Sequence, residues 1–286
     1  MMRVPLNIDL KGKTAIVTGG GGVLCSCFSE AFGICGAKVA VLDLRKDAAE
    51  KVANKIKENG GIALGIQANV LDLESLEKAE KIITDELGPY NILINGAGGN
   101  HPKGTTSNEF LTLDDLKSKK NGLTTFFDLD LEGFEVVFDL NVIGTLLPTQ
   151  VFAKKMVYQE SAVIINISSM NAFRPLTKIP AYSSAKAAVS NFTQWLAVHL
   201  SRVGIRVNAI APGFFLTEQN RDLLINNDGT YTSRAEKILS QTPMQRFGKP
   251  TELLGTLLWP VDEQASGFVN GIIIPVDGGF SAYSGI

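Results

Sequence analysis

Tyr182-Ser-Ser-Ala-Lys186 sets a phenol and an ammonium four residues apart, which puts them on one face of a helix. A free phenol titrates near ~10 and a lysine near ~10.4, so neither alone is a useful acid or base at neutral pH. An ammonium beside the phenol favours the phenolate and is expected to draw the tyrosine pKa down toward the working range. Such a tyrosine can give a proton to a forming alkoxide or take one from an alcohol. Tyr/Lys pairs at this spacing are also ordinary on amphipathic helix surfaces, so the rest of the chain has to decide.

The chain has 286 residues, 45% hydrophobic and 20% charged, with a formal net charge of −2. That is enough material for a large core in one or two domains. The balance of charge, with no basic run, argues against nucleic acid as a partner. No apolar run approaches bilayer-spanning length, and Met1 to Leu6 lacks the apolar core of a signal peptide. Cys25, Cys27 and Cys35 are the only cysteines. An odd, local set suggests neither a disulfide framework nor a zinc site, and points to reduced thiols in a cytoplasmic protein, with no metal.

The elements around the pair alternate. Lys13 to Thr18 predicts a buried strand, Gly19 to Gly22 a turn, about 23–35 a helix, and Gly36 to Leu42 a strand ending in Asp43. A helix over 46–59, a strand over 61–67, a helix over 72–87 and a strand over 91–94 follow. After a long irregular stretch come a helix near 131–157, a strand over 162–167, a helix near 180–202 and a strand over 205–210. Short helices over 217–240 and 250–260 precede a final strand over 271–276. The strands are short, rich in Val and Ile, and apolar on both faces. The pattern predicts an α/β fold: a single doubly wound domain of the Rossmann type, with a seven-stranded parallel sheet and helices on both faces.

The first strand, turn and helix form a nucleotide-binding layout. Gly19, Gly21 and Gly22, with Val23 and Leu24 opening the helix, would let the backbone approach a pyrophosphate at a helix N-terminus. Asp43 at the end of the second strand can accept hydrogen bonds from both ribose hydroxyls and would repel a 2′-phosphate, which favours NAD over NADP; Arg45 close by would soften that preference. Asn69 and Val70 after the third strand are placed for the adenine. Asn95-Gly-Ala97-Gly98 keeps the turn after the fourth strand nearly free of side chains, at the sheet edge where such folds bind ligands.

Six motifs, in order from Leu10 onward, are similar to the short-chain dehydrogenase/reductase family. They are Thr18-Gly19, Asn95-Gly-Ala-Gly98, Asn141-Val-Ile-Gly144, Ser168-Ser169, Tyr182-x-x-x-Lys186 and Pro212-Gly213. The resemblance implies Ser169, thirteen residues before Tyr182, as the group that bonds the substrate oxygen. It implies Tyr182 as general acid/base, Lys186 as its activator and ribose ligand, and Asn141 as the anchor of a water relay. Pro212, Gly213, Phe215 and Thr217 would border the nicotinamide. Val23 and Cys25 stand where the family pattern has glycines. Gly96 to Pro102, Ala211 to Thr217, Thr242 to Gly248 and Val276 to Gly285 resemble the branch that acts on sugar acids, D-mannonate and D-fructuronate above all. That branch implies a small-molecule sugar-acid substrate, and the family implies a homotetramer.

A keto-uronate needs a cation for its carboxylate and polar partners for its hydroxyls. Asn100, His101, Asn171, Arg174 and Lys178 flank the expected site, as do Gln219, Asn220 and Arg221. Arg174 or Lys178 is the first choice for the carboxylate, and His101 the next. Residues 103–129 exceed an ordinary βα connection and predict a lid or a subunit contact at the substrate rim. The reading is an NAD(P)-dependent alcohol/ketone oxidoreductase. Its rivals are an enzyme for another sugar acid, such as gluconate 5-dehydrogenase or 2-deoxy-D-gluconate 3-dehydrogenase, and a non-catalytic cofactor-binding regulator.

Overall fold

The computed structural model describes residues 8–117, 122–217 and 220–285. The βα alternation runs β1 (Thr14–Thr18), α1 (Val23–Ile34), β2 (Lys38–Asp43), α2 (Lys46–Glu58), β3 (Ile62–Gln67), α3 (Leu73–Leu87) and β4 (Ile92–Asn95). Next come α4 (Leu113–Lys117), α5 (Leu131–Phe138) and α6 (Gly144–Met156), then β5 (Ala162–Ile167), α7 (Pro180–His199) and β6 (Ile205–Pro212). The chain ends with α8 (Arg221–Leu224), α9 (Ser233–Ser240), α10 (Leu254–Val261), α11 (Glu263–Ser266) and β7 (Ile273–Val276). The strands make one parallel sheet in the order β3-β2-β1-β4-β5-β6-β7.

The alternation of side chains along each strand explains the layers. Ala15 and Val17 of β1 join Phe28 and Phe32 of α1 and Val52 and Ile56 of α2 in one core. Ile16 between them joins Ile83 of α3, Phe152 of α6 and Leu196 of α7 in the other. Both faces are dry, so the strands are continuously apolar, as parallel sheets require. β7 closes an edge, where Pro275, without an N–H to donate, is tolerated.

Two features differ from the sequence expectation. The helix over 131–157 is interrupted by a π-helical turn, Asp139–Ile143, that carries Asn141. The span Leu131–Met156 also has an 18-residue window of mean hydropathy 1.5, so by length and composition it could cross a membrane, contrary to the expectation that no such run exists. Half of that window is buried inside the protein. The run is apolar on more than one side because it packs against α3, α7 and β4.

Strand order reverses between β1 and β4, whose ends Thr18 and Asn95 lie side by side. The crevice beyond that switch is where ligands enter open α/β sheets. Beneath it runs a buried polar ladder. Asn95 Nδ2 donates to Asn166 Oδ1 of β5 (2.8 Å) and to Thr149 Oγ1 of α6 (2.9 Å), and Asn166 Nδ2 donates to Thr193 Oγ1 of α7 (2.9 Å).

Candidate active site

A cavity of about 470 Å³ opens at this switch, in the size range of small-molecule sites. Gly19, Gly96, Ala97 and Gly98 give it a backbone floor, Asp43 lies at one end, and Ser169, Tyr182 and Lys186 lie at the other. Val23 and Leu24, at the start of α1, line it too. Gly22 supplies no side-chain cap there, so the free N–H groups and positive end of α1 are available to an anion. Asp43 Oδ2 accepts the N–H of Gly21 at 3.0 Å and Oδ1 that of Arg45 at 3.1 Å, which fixes the carboxylate at the cavity wall. The Arg45 guanidinium stands 3.9 Å away and is mostly exposed. Asn69 and Val70 complete the wall beside it. An extended dinucleotide fits this lining: backbone at the middle, a fixed acceptor at one end and a proton donor at the other.

Cys25 explains how the turn manages without the expected glycine. Its sulfur occupies the space above Gly96, where an added Cβ would come within 2.2 Å of Sγ. Burial holds its thiol in the protonated form, with the pKa pushed up to about 12, so it fills space and is not a nucleophile.

At the other end, α7 presents Tyr182 and Lys186 on its inner face. Lys186 is buried, and its Nζ donates to Ile167 O at 2.8 Å while standing 5.6 Å from the centre of the Tyr182 ring. Burial lowers its pKa from 10.5 to about 8. Burial likewise raises the Tyr182 phenol above its usual value of 10, offset in part by a hydrogen bond from Ser169. The sequence expectation was the reverse, a phenol lowered by the ammonium. The difference is geometric: the lysine points at a strand carbonyl and covers the ring, and desolvation dominates. Ser168 and Ser169 have separate tasks. Ser168 Oγ bonds Ser190 Oγ (2.7 Å) and Lys186 O (3.2 Å), fastening β5 to α7, while Ser169 caps the short turn Met170–Ala172.

Asn141 is fully buried, and its Nδ2 donates to Gly99 O and Val137 O, each at 2.7 Å. A Cβ on Gly98 would lie 2.7 Å from Asn141 Oδ1 and 3.0 Å from Lys186 Nζ. The π turn therefore brings Asn141 behind the lysine, at the point only a glycine leaves open.

The family model for the short chain dehydrogenases matches residues 13–228. The chain belongs to the short-chain dehydrogenase family. The chain is 56% identical, over 285 residues, to an uncharacterized oxidoreductase of Haemophilus influenzae, covering 100% of this chain and 99% of the relative. To the uncharacterized oxidoreductase UxuB of Bacillus subtilis it is 53% identical over 283 residues, covering 99% and 100%. It is 29% identical to a 5-keto-D-gluconate 5-reductase of Escherichia coli, covering 95% and 96%. Among solved structures, a candidate D-mannonate oxidoreductase from Haemophilus, with bound NAD, superposes with a TM-score of 0.93 at 56% identity, covering 99% and 100%.

Several residues expected at the site do not line the cavity. Asn95 turns its amide into the buried ladder, and Phe215 is buried in the core with Leu253 and Leu257, bridging to Gly248. Gly21 acts through its N–H on Asp43. Pro212, Gly213 and Thr217 do line the cavity. Asn100, His101, Asn171, Arg174 and Lys178 do not. Asn100 bonds Thr105, and His101 Nδ1 accepts the N–H of Lys103. Arg174 is bound to carbonyls of the C-terminal tail. Asn171 and Lys178 line a second hollow beyond the start of α7. Asn220 holds the loop before it through Thr217 N–H and Phe215 O, Arg221 is an exposed residue of α8, and Gln219 lies outside the described residues. Of the long connection 103–129, residues 118–121 also lie outside them; the rest packs on Lys178 and α9 through Thr106 N–H to Lys178 O and the ion pair Glu109–Lys237.

Leu140, Ile167, Leu44 and Ala68 line the cavity unforeseen. They are apolar strand-end and helix residues, with no chemical signature to mark them in a sequence.

Proposed function

We propose that the chain is an NAD-dependent oxidoreductase, with NADP as the lesser cofactor, that interconverts a secondary alcohol and a ketone of a sugar acid, D-mannonate and D-fructuronate first. The observation that carries the proposal is a single cavity with Asp43 and the glycine turn at one end and Ser169, Tyr182 and Lys186 at the other. The candidate D-mannonate oxidoreductase at 56% identity supports the substrate. The 5-keto-D-gluconate relative supports the second reading, a ketone of another sugar acid.

The nicotinamide supplies the hydride chemistry when bound. Gly19, Gly22, Val23, Leu24, Ala97 and Gly98 would lie along the pyrophosphate, Asp43 under the adenosine ribose, and Asn69 and Val70 by the adenine. Pro212, Gly213 and Thr217 would border the reacting ring. Ser169 holds the substrate oxygen by a hydrogen bond. Tyr182, protonated at neutral pH, gives its proton to that oxygen as the ketone is reduced and takes it back in the reverse direction. Lys186 holds the second ribose and stabilises the phenolate left behind. Asn141, behind Gly98, keeps the lysine connected to solvent. The whole chain acts as one catalytic domain, in the cytoplasm. A homotetramer is proposed as the assembly, with Trp195 and Val198, exposed large apolar residues of α7, on a buried face.

A panel of keto-uronates and aldonates, followed at the NADH absorbance band with both cofactors, tests the reading. Turnover with D-fructuronate above all others supports it. Turnover only with 5-keto-gluconate installs the second reading, and turnover with no sugar acid removes both.

A further inference from the structure

The segment beyond β7 is shaped as a strap, and Arg174 is its fastening. The N–H of Arg174 bonds to Met170 O at 3.0 Å, which ties it to the turn that Ser169 caps. Its guanidinium donates to the carbonyl of Phe280 at 3.1 Å and to that of Tyr283. The strap holds its own shape, because the Asp277 carboxylate accepts the N–H of Gly279 at 2.9 Å and of Ser281 at 2.8 Å. The Phe280 ring is 7% exposed and meets Phe214 edge to face, with centroids 5.4 Å apart. Phe214 follows Gly213 in the loop that carries Thr217 along the cavity.

These contacts form one path: the serine turn, Arg174, the strap, Phe280, Phe214, and the loop at the reacting end of the cavity. We propose that Arg174 is a positioning residue that latches the C-terminal strap and, through Phe280 and Phe214, holds the loop over 213–217 in place against bound cofactor. The effect on turnover rests on the function proposed above; the latch itself does not. Both bonds leave one nitrogen, Nη1, whose two N–H groups are fixed in the guanidinium plane, whereas the three N–H groups of an ammonium rotate freely. The aromatic pair transmits the hold, since an edge-to-face contact fixes both rings. Arg174 thus acts through the fold, and the substrate carboxylate is left to another cation.

Two measurements test this, the first without catalysis. Chymotryptic cleavage after Phe280, followed by mass spectrometry with and without NADH, should be about tenfold faster in Arg174→Ala, the equivalent of one hydrogen bond to a charged group, and intermediate in Arg174→Lys. Cleavage at the wild-type rate in Arg174→Ala overturns the proposal. The second is a double-mutant comparison of kcat/KM for ketone reduction. Arg174→Ala and Phe280→Ala should each lower it about tenfold, the double variant no further, and NADH affinity should stay within about threefold because Asp43 is untouched. An additional loss from Arg174→Ala in the Phe280→Ala background shows a direct substrate contact and refutes the latch. A chain ending at Gly279 gives the same comparison with the strap removed. If the wild type reduces no sugar acid, the proposed function fails, and the cleavage measurement still decides the latch.

Discussion

Replacing Lys186 with methionine should make the chain more stable at neutral pH while abolishing turnover. Burial lowers the lysine pKa from 10.5 to about 8, so folding favours the neutral amine and the ammonium is the form penalised. The sign follows: the unfolded chain binds more protons between pH 8 and 10.5, so stability rises with pH through that window. Below it the penalty is complete, at about 3 kcal/mol by the usual ~1.4 kcal/mol for each pH unit of displacement. Methionine escapes that penalty but forfeits the bond to Ile167 O, costing about 1 kcal/mol. The net gain at neutral pH is therefore about 2 kcal/mol, turning into a loss of about 1 kcal/mol once the window is passed. Urea unfolding of both chains, read by the fluorescence of Trp195 and Trp259 at a series of pH values, measures the difference directly. A stability difference that does not change between neutral and alkaline pH would falsify the argument, whatever its sign.

Tyr182→Phe should lower turnover by about 10²–10⁴-fold, the usual worth of a positioned acid, with NADH binding by fluorescence nearly unchanged; near-normal turnover removes Tyr182 from the mechanism. Because burial raises the phenol and the Lys186 ammonium is lost at about pH 8, ketone reduction should be flat through neutral pH and decline as that charge is lost. Alcohol oxidation, which needs the phenolate, should climb over the same range, and parallel profiles would contradict the assignment. Asp43→Ala should weaken NADH by about tenfold, as for loss of a charge-assisted bond, and narrow its advantage over NADPH; a wild type that already prefers NADPH refutes the role of Asp43. Gly96→Ala should disrupt the turn through the collision with Cys25, costing about 1–3 kcal/mol. Cys25→Ala in the same chain should restore the part due to the sulfur and leave the part due to Thr18 O, which would lie 2.9 Å from the new Cβ; thermal melts of the two variants check this.

The fold was largely legible because its signal is repetitive. All seven strands occur where the apolar runs predict them, with ends displaced: β2 starts at Lys38, β6 runs on to Pro212 and β7 starts at Ile273. The π turn at Asn141 was illegible because the run around it is apolar on more than one side, so the one-residue shift in phase leaves no mark. The cavity lining was legible where the backbone itself sets its place, as with Asp43 at a strand end, Ser169 after β5, and Tyr182 and Lys186 one turn apart. The places of the loop side chains offered for the substrate were not, because side chains on irregular loops have several partners within reach. His101 and Asn100 bond their own loop, and Arg174 reaches the distant tail. The direction of the Asn95 amide was illegible for a related reason. It stands at the right edge, but its neighbour Asn166 across the sheet offers the amide a partner inside.

That pairing has a consequence for how the sheet assembles. The amide of Asn95 meets the amide of Asn166 only when Asn95 lies opposite Asn166 in the β4–β5 pairing, as it does. A slip of one strand by a single residue would turn its amide to the opposite face, part the two asparagines and strand the moved amide among hydrocarbon, at about 1–3 kcal/mol for a group left alone. The hydrophobic strands on either side would tolerate many offsets, being apolar throughout. The two asparagines act as a keyed joint at the centre of the sheet, admitting one alignment of the halves that bring Asp43 and Tyr182 to the same cleft.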